Sequence, residues 1–261
     1  ACNGGRQVTL GAPFVDNRVD PSRLNNVTQN FLRYVPVSND PCGSLRYGIP
    51  NNNTEHQGIA KLDYTINRDQ SAFLRYFYAV YDNPATFDGE NVLTLSRAGQ
   101  NNQAHSVVGA HNWALSANTF NTLHVTFNRT ENDRALPPYF TPTELGSNIA
   151  SPYPGYTGLT VTGNGFSVGF GAVNPGYFDS KSIQVADDLD LIRGKHQLSV
   201  GANWIHTSIE TSNNRPTNGA FTFNGQTTGL SLADFMIGSI SGGFLQGNPV
   251  FDYDNHDYVA A

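Results

Sequence analysis

Charge is scarce in this chain of 261 residues: Lys, Arg, Asp and Glu together make up 14% of it, against roughly 25% in an average soluble domain. The 15 basic residues are outnumbered by 21 acidic ones, for a formal net charge of −6, and no basic run occurs. Nucleic acid is thereby excluded as a partner, because phosphate binding needs clustered Lys and Arg. No run of about 18 apolar residues occurs either, which excludes a transmembrane helix. The opening "ACNGGRQVTL" lacks the charged start and apolar stretch of a signal peptide. Two cysteines without a CxxC or HExxH pattern do not encode a zinc site. The GxSxG elbow of a serine hydrolase is missing, since "GNGFSVGFG" has a Ser without that spacing. "GNG" at 163–165 is a turn signal rather than a phosphate loop, because no Lys-Ser/Thr helix start follows. The sequence therefore assigns no catalytic residue, no metal and no cofactor.

What is abundant is glycine (26), phenylalanine (16) and tyrosine (12), the composition of a β protein with many turns and aromatic strand positions. One helix precedes the strands. In "DPSRLNNVTQNFLRYVP", Asp20 reads as the N-cap, Pro21 as the first helical residue and Pro36 as the stop. Leu24, Val27, Phe31 and Val35 share one helical face, which makes the helix amphipathic and packed on something.

From Gln57 onward the period becomes two. Ala60, Leu62, Tyr64 and Ile66 alternate with Lys61, Asp63 and Thr65. After the turn "NRDQ", Leu74, Tyr76, Tyr78 and Val80 stand opposite Phe73, Arg75 and Phe77. A second hairpin puts Val107, His111, Trp113 and Leu115 on one face, turns at "SANT", and returns with Leu123, Val125 and Phe127. A third runs through "SIQVADDLDLI", the tip "RGK" and "HQLSVGANW". In that last stretch Leu198, Val200, Ala202 and Trp204 alternate with Gln197, Ser199, Gly201 and Asn203. A soluble sandwich would carry Lys, Glu and Thr on its polar face; small neutral polar groups opposite an apolar face suit a wall between lipid and a wet lumen.

Connections within hairpins are about two to four residues. Those between hairpins run roughly from Asp82 to Gln103, Glu131 to Ser180 and Thr211 to Gly229, well above the usual length for a structureless link. Short turns at one end and long loops at the other describe an outer-membrane barrel, and strands of about ten residues suit a tilted crossing. The expected fold is all-β: antiparallel up-and-down hairpins of a partial outer-membrane β-barrel. Residues 1–55 read as an N-terminal loop and helix segment, and residues 56–261 as the barrel segment with extracellular-type loops. Both ends read as cut from something longer.

Several side-chain groups invite a functional reading. Cys2 and Cys42 are expected to form a disulfide that closes the N-terminal loop, in an oxidising compartment; the alternative is two unrelated buried thiols. His105, His111 and His124 could approach one another as metal ligands, although lumen-facing or half-buried histidines account for them. Asp187, Asp188 and Asp190 lack the DxDxDG calcium loop and read as a solvated lumen or rim cluster. In the long second loop, Tyr153, Tyr156, Phe166, Phe170 and Tyr177 form a candidate ligand-binding surface for sugar or peptide; the alternative is that they pack the loop on itself.

"HQGIAKLDYTINRDQSAFLRYFY", "DDLDLIRGKHQLSVGANW" and "NGAFTFNGQTTGLSLADFMIG" resemble barrel segments of TonB-dependent outer-membrane receptors, in the Oar-like branch that carries a carboxypeptidase-regulatory-like domain before the plug. The resemblance covers most of residues 13–261. It implies location in the bacterial outer membrane at the cell surface, and substrate uptake driven by the TonB system through a plug. It also implies contact with outer-membrane lipid and with the parent receptor's plug and its further strands, out of about 22 in a complete barrel. The residues in hand read as six or seven strands. Two other readings remain open: a soluble β-rich module, a hydrolase or a carbohydrate or peptide binder, and a surface or filament protein that self-associates through open strand edges.

Overall fold

A computed structural model describes residues 8–49, 51–137, 139–155, 157–169, 175–214, 217–242, 244–248 and 250–261. Seven long strands form one antiparallel sheet: β1 (Thr54–Asn67), β2 (Gln70–Asn83), β3 (Gly99–Ser116), β4 (Thr119–Ala135), β7 (Gly176–Arg193), β8 (His196–Asn213) and β10 (Val250–Ala260). Their order in the sheet is β1-β2-β3-β4-β7-β8-β10, which is also their order in the chain. Such a meander follows from the turn chemistry. "RD", "AN" and "GK" close the three hairpins at one end of the sheet. At the last of them Gly194 takes the left-handed conformation (φ 62°) that a tight two-residue turn requires. The sheet is open, with β1 and β10 as its edges.

The expected period of two holds along the three hairpins, apart from register shifts between Thr65 and Asn67 on β1 and between Ala114 and Ser116 on β3. The expected strand length does not: the strands run 11 to 18 residues, and 18 residues at about 3.4 Å each span about 60 Å. Towards the loop end both faces are polar, as in Asn128, Arg129, Thr130, Glu131, Asn132 and Asp133, so alternation carries no signal where pairing continues.

Below ten per cent exposure there is almost nothing in the large sheet; the hydrophobic core lies elsewhere. The segments joining β2 to β3, β4 to β7 and β8 to β10, with the N-terminal segment, all meet at the end of the sheet opposite the short turns. There they fold into a cap. It holds helices α1 (Asn26–Leu32) and α2 (Ser231–Ile237) and a small sheet of β5 (Gly158–Val161), β6 (Ser167–Val168) and β9 (Ala220–Phe223), in the order β6-β5-β9. β5 pairs parallel with β9, which joins the second loop to the third. The core draws Phe31 from the N-terminal segment, Val92 and Leu93 from the first loop, Phe140, Leu145, Leu159, Val161 and Val168 from the second, and Phe223 and Phe235 from the third.

The expected single helix is broken. Asp20 caps only the turn Pro21–Arg23, accepting from Ser22 N at 2.9 Å. Asn25 then starts α1, its Oδ1 accepting from Val27 N at 2.9 Å and Thr28 N at 3.2 Å. Short polar side chains compete in this way with helix propagation. The helix α2 arises in "SLADFMIG", a stretch the strand reading passed over, and Gly238 ends it in the left-handed conformation (φ 72°).

Candidate functional site

Register places whole rows of side chains on one face of the sheet. Leu62, Leu74, Gly109, Val125, Val185, Trp204 and Val259 are successive cross-strand partners through all seven strands. Among the described residues the row is exposed, most at its ends, where Leu62 is 68% exposed, Leu74 53% and Val259 76%. Leu198 and Val200 on β8 extend the same face towards the turns. A contiguous apolar field of this kind on a protein surface marks a lipid or protein contact. The one formal charge within it among the described residues is Asp187, whose Oδ1 accepts from Asn121 Nδ2 at 2.7 Å.

The opposite face mixes hydrogen-bonded polar pairs with scattered apolar side chains such as Phe73 and Ile205, and carries the ion pair of Lys61 with Asp63 at 2.6 Å. Gln184 Nε2 donates to Asn203 Oδ1 at 3.0 Å, and Asn128 Nδ2 to Ser182 Oγ at 3.4 Å. Asn132 bonds Asn102, and Ser199 bonds Asp190. Asp188 and Asp190 belong to this face and Asp187 to the other, so the three carboxylates are not gathered. The side chain of Asp188 folds over Gly201, where a Cβ would collide with it. His105 and His111 share the apolar face and His124 faces the other way; His105 Nδ1 lies 2.8 Å from Tyr76 Oη. Among the described residues no three His, Cys, Asp or Glu side chains are placed to hold a metal ion.

Beyond the apolar row, towards the cap, the apolar face becomes charged. Arg129 on β4 donates from Nε and Nη2 to the two carboxylate oxygens of Asp179 on β7, at 3.1 and 3.0 Å. It also pairs with Glu131 at 2.6 Å, while Lys181 reaches Asp179 at 2.9 Å. Tyr177 Oη donates to Glu210 at 2.6 Å. These links tie β4, β7 and β8 together above the field.

The cap is the second candidate. Phe31 stacks on Phe166 with centroids 5.6 Å apart, and Phe140 and Phe235 meet it edge-on. An apolar cavity of about 70 Å³ remains among Val27, Phe31, Leu145, Leu159, Phe223 and Phe235. Asp234, fully buried on α2, accepts from Thr228 N (2.8 Å), Thr228 Oγ1 (2.7 Å) and Thr227 N (3.2 Å), which satisfies its carboxylate and fixes the turn before the helix. Asp88 accepts from Glu90 N and Asn91 N, and the Glu90 amide holds its carboxyl below the usual carboxylate range.

The five loop aromatics singled out by the sequence are dispersed. Phe166 serves the core, packed on Phe31 and Phe235. Tyr177 lies on β7. Tyr153 is pinned by Asn218, which accepts from its backbone N at 2.9 Å; burial and then nearby Asp133 push its phenol pKa up. Tyr156 and Phe170 lie outside the described residues, as does Cys2, so the expected Cys2–Cys42 bond is not described; no free cysteine occurs among those that are. Sequence reasoning missed the charged rows above the apolar field and the cap core. The first had a signal in Arg129 and Lys181 standing one alternation step past Phe127 and Ile183; the second had a partial one in the apolar face of Val27, Phe31 and Val35, with nothing to say what that face meets.

An open antiparallel wall with one face apolar and uncovered, one face wet, short turns below and long loops above is a segment of a membrane β-barrel. The profile of the outer membrane beta barrel domain family matches residues 2–260. The chain belongs to that family, which places it in the bacterial outer membrane. Neither the curated proteins nor the solved structures contain a match.

Proposed function

We propose that this chain is part of the barrel of a TonB-dependent outer-membrane receptor of the Oar-like branch and serves substrate uptake. The observation that carries the reading is the pairing of an open wall with a large folded cap. Seven strands leave two edges that further strands of a wide barrel would occupy, and a cap with its own core is a rigid surface on which an extracellular ligand can be held. In this reading outer-membrane lipid lies against the apolar face, the plug against the polar face, and ligand contact falls on the cap and upper wall, with Tyr153, Tyr156, Phe170 and Tyr177 as the candidate contacts and Phe166 in the cap core. A Cys2–Cys42 disulfide would close the N-terminal segment of the cap in the oxidising cell envelope. No catalytic residue is assigned.

The test is depletion of peptides and glycans from the medium by cells that express the intact protein. Depletion that disappears with a protonophore, or when residues 136–175 are deleted, supports energised uptake through the cap. Depletion indifferent to both overturns it. The exposed edges β1 and β10 favour one second reading, self-association by strand pairing. Cross-linking in the membrane separates the two: a ladder of regular oligomers points to edge pairing, and a single species to a closed barrel.

A further inference from the structure

Charged side chains on the apolar face do not begin at the same register on each strand. Moving from the apolar row towards the cap, the first acidic, basic or imidazole side chain is Asp82 on β2, His105 on β3, Arg129 on β4, Lys181 on β7, His206 on β8 and Asp257 on β10. Asp82 shares a cross-strand row with Phe251, so by β10 the boundary has moved from 251 to 257, six residues nearer the turns over five strand steps. The shift comes in two steps of one sign: four residues from β2 to β3, where His105, Arg129 and Lys181 share one row, and two more from β7 to β8, where His206 and Asp257 share another (the edge strand β1 departs by one row, at His56). Six residues over five steps is about 4 Å along the strand for each step of about 4.8 Å, a tilt of about 40°, inside the roughly 35–45° of outer-membrane barrels. A flat plane cutting tilted strands leaves a net shift of this size.

Below the boundary the depth also fits. From Lys181 to Leu191 on β7, and from His206 to His196 on β8, ten residues separate the boundary from the hairpin end. At about 3.3 Å per residue and a tilt near 40° this is about 25 Å of height, the apolar band of such barrels. The two tryptophans of the chain, both on this face, lie near its two limits, Trp204 at the cap side and Trp113 at the turn side, where indole rings collect at a membrane interface.

We infer that the outer headgroup plane of the bilayer crosses the sheet along this slanting boundary, that Arg129 and Lys181 face the phosphates of the outer-leaflet lipid, and that the strands beyond it stand in water and carry the cap clear of the membrane. Along β4 and β7 the cations come first after the apolar side chains, and the acidic side chains Glu131 and Asp179 follow on the far side of them. That order suits an anionic lipid surface below and water above. The inference rests on the apolar face being the lipid face, and the experiment separates failure of the one from failure of the other.

Nitroxide labels at Leu123→Cys, Phe127→Cys and Asp133→Cys on β4, and at Thr126→Cys on the polar face, would be placed in the intact protein with Cys2→Ser and Cys42→Ser, folded into vesicles containing a phosphorylated glycolipid. Collision rates with oxygen and with a water-soluble nickel chelate then report depth. Lipid exposure at 123 and 127 with water exposure at 133 is expected. Lipid exposure at 133 as well overturns the boundary and leaves the face assignment intact; water at 123 with lipid at 126 overturns the face assignment itself. For the phosphate contact, native mass spectrometry counts glycolipid retained by Arg129→Gln with Lys181→Gln. Each cation near an anionic surface contributes roughly fivefold in binding, so retention should fall about 25-fold and stay near normal in Arg129→Lys. Unchanged retention in the double variant overturns the contact and shows the ion pairs to be structural only.

Discussion

The cap and the sheet solve the problem of apolar side chains in opposite ways. In the cap, Phe31, Phe140, Val168 and Phe235 are at most 3% exposed and come from three separate chain segments. In the sheet, side chains of the same chemistry stand uncovered, Val200 at 68% and Leu198 at 60%. The cap is an ordinary protein interior, held by hydrophobic burial and edge-on aromatic contacts. The sheet is held by the backbone ladder, and its solvent on one side is hydrocarbon, where every backbone group must be paired within the protein. A substitution should therefore have different, even opposite, consequences in the two regions.

The largest difference is expected from truncation. Phe140→Ala should cost the cap about 3–5 kcal/mol through its cavity, seen as loss of hydrogen-exchange protection in 136–175 while the sheet amides keep theirs. The matching truncation Val200→Ala opens no cavity, because lipid fills the space, and its effect in vesicles should be much smaller. If the two cost the same, Val200 is covered by protein.

Charge sharpens the contrast next. Val200→Arg should destabilise folding into vesicles by about 2–4 kcal/mol near the bilayer midplane, while Ser199→Lys, one residue away on the polar face, should be nearly neutral. Urea titration of the two variants in the same vesicles checks this, and equal costs would remove the distinction between faces.

Thr228→Val takes one hydroxyl donor from buried Asp234 and should cost the cap about 1–3 kcal/mol, measurable as faster proteolysis around α2 with unchanged sheet protection.

The smallest effect is pH. The Asp88 carboxyl is lowered by the Glu90 amide, so its contribution is present above the ordinary carboxylate value and is lost as pH falls through the lowered folded value. Acidification through that window should loosen residues 84–98 before the apolar face responds, and Asp88→Asn should remove that pH dependence.

Much of the sheet was legible. Its hairpins, turns and faces follow from period-two alternation, except next to the turns, where Ile66 and Leu115 fall at register shifts. Strand ends were not legible beyond Phe127 or Ile183, because alternation needs one wet and one apolar side, and above the boundary both sides are wet. The break in the first helix turned on Asn25, whose side chain serves its own backbone; Asp20 at the start of the same stretch offered an equally good cap. The reading of Phe166 as a ligand-facing ring shows the same limit, since nothing local distinguishes an aromatic that binds from one that packs on Phe31, 135 positions earlier.

By itself the sequence determined the local order: which residues extend, which turn, and which side of each strand is apolar, since these depend on neighbours two to four positions away. Only the tertiary structure decided that the three long loops and the N-terminal segment share one core. It also decided that the first charged positions step towards the turns across six strands. Both are facts about residues far apart in the chain, fixed by packing and by strand register rather than by any local pattern.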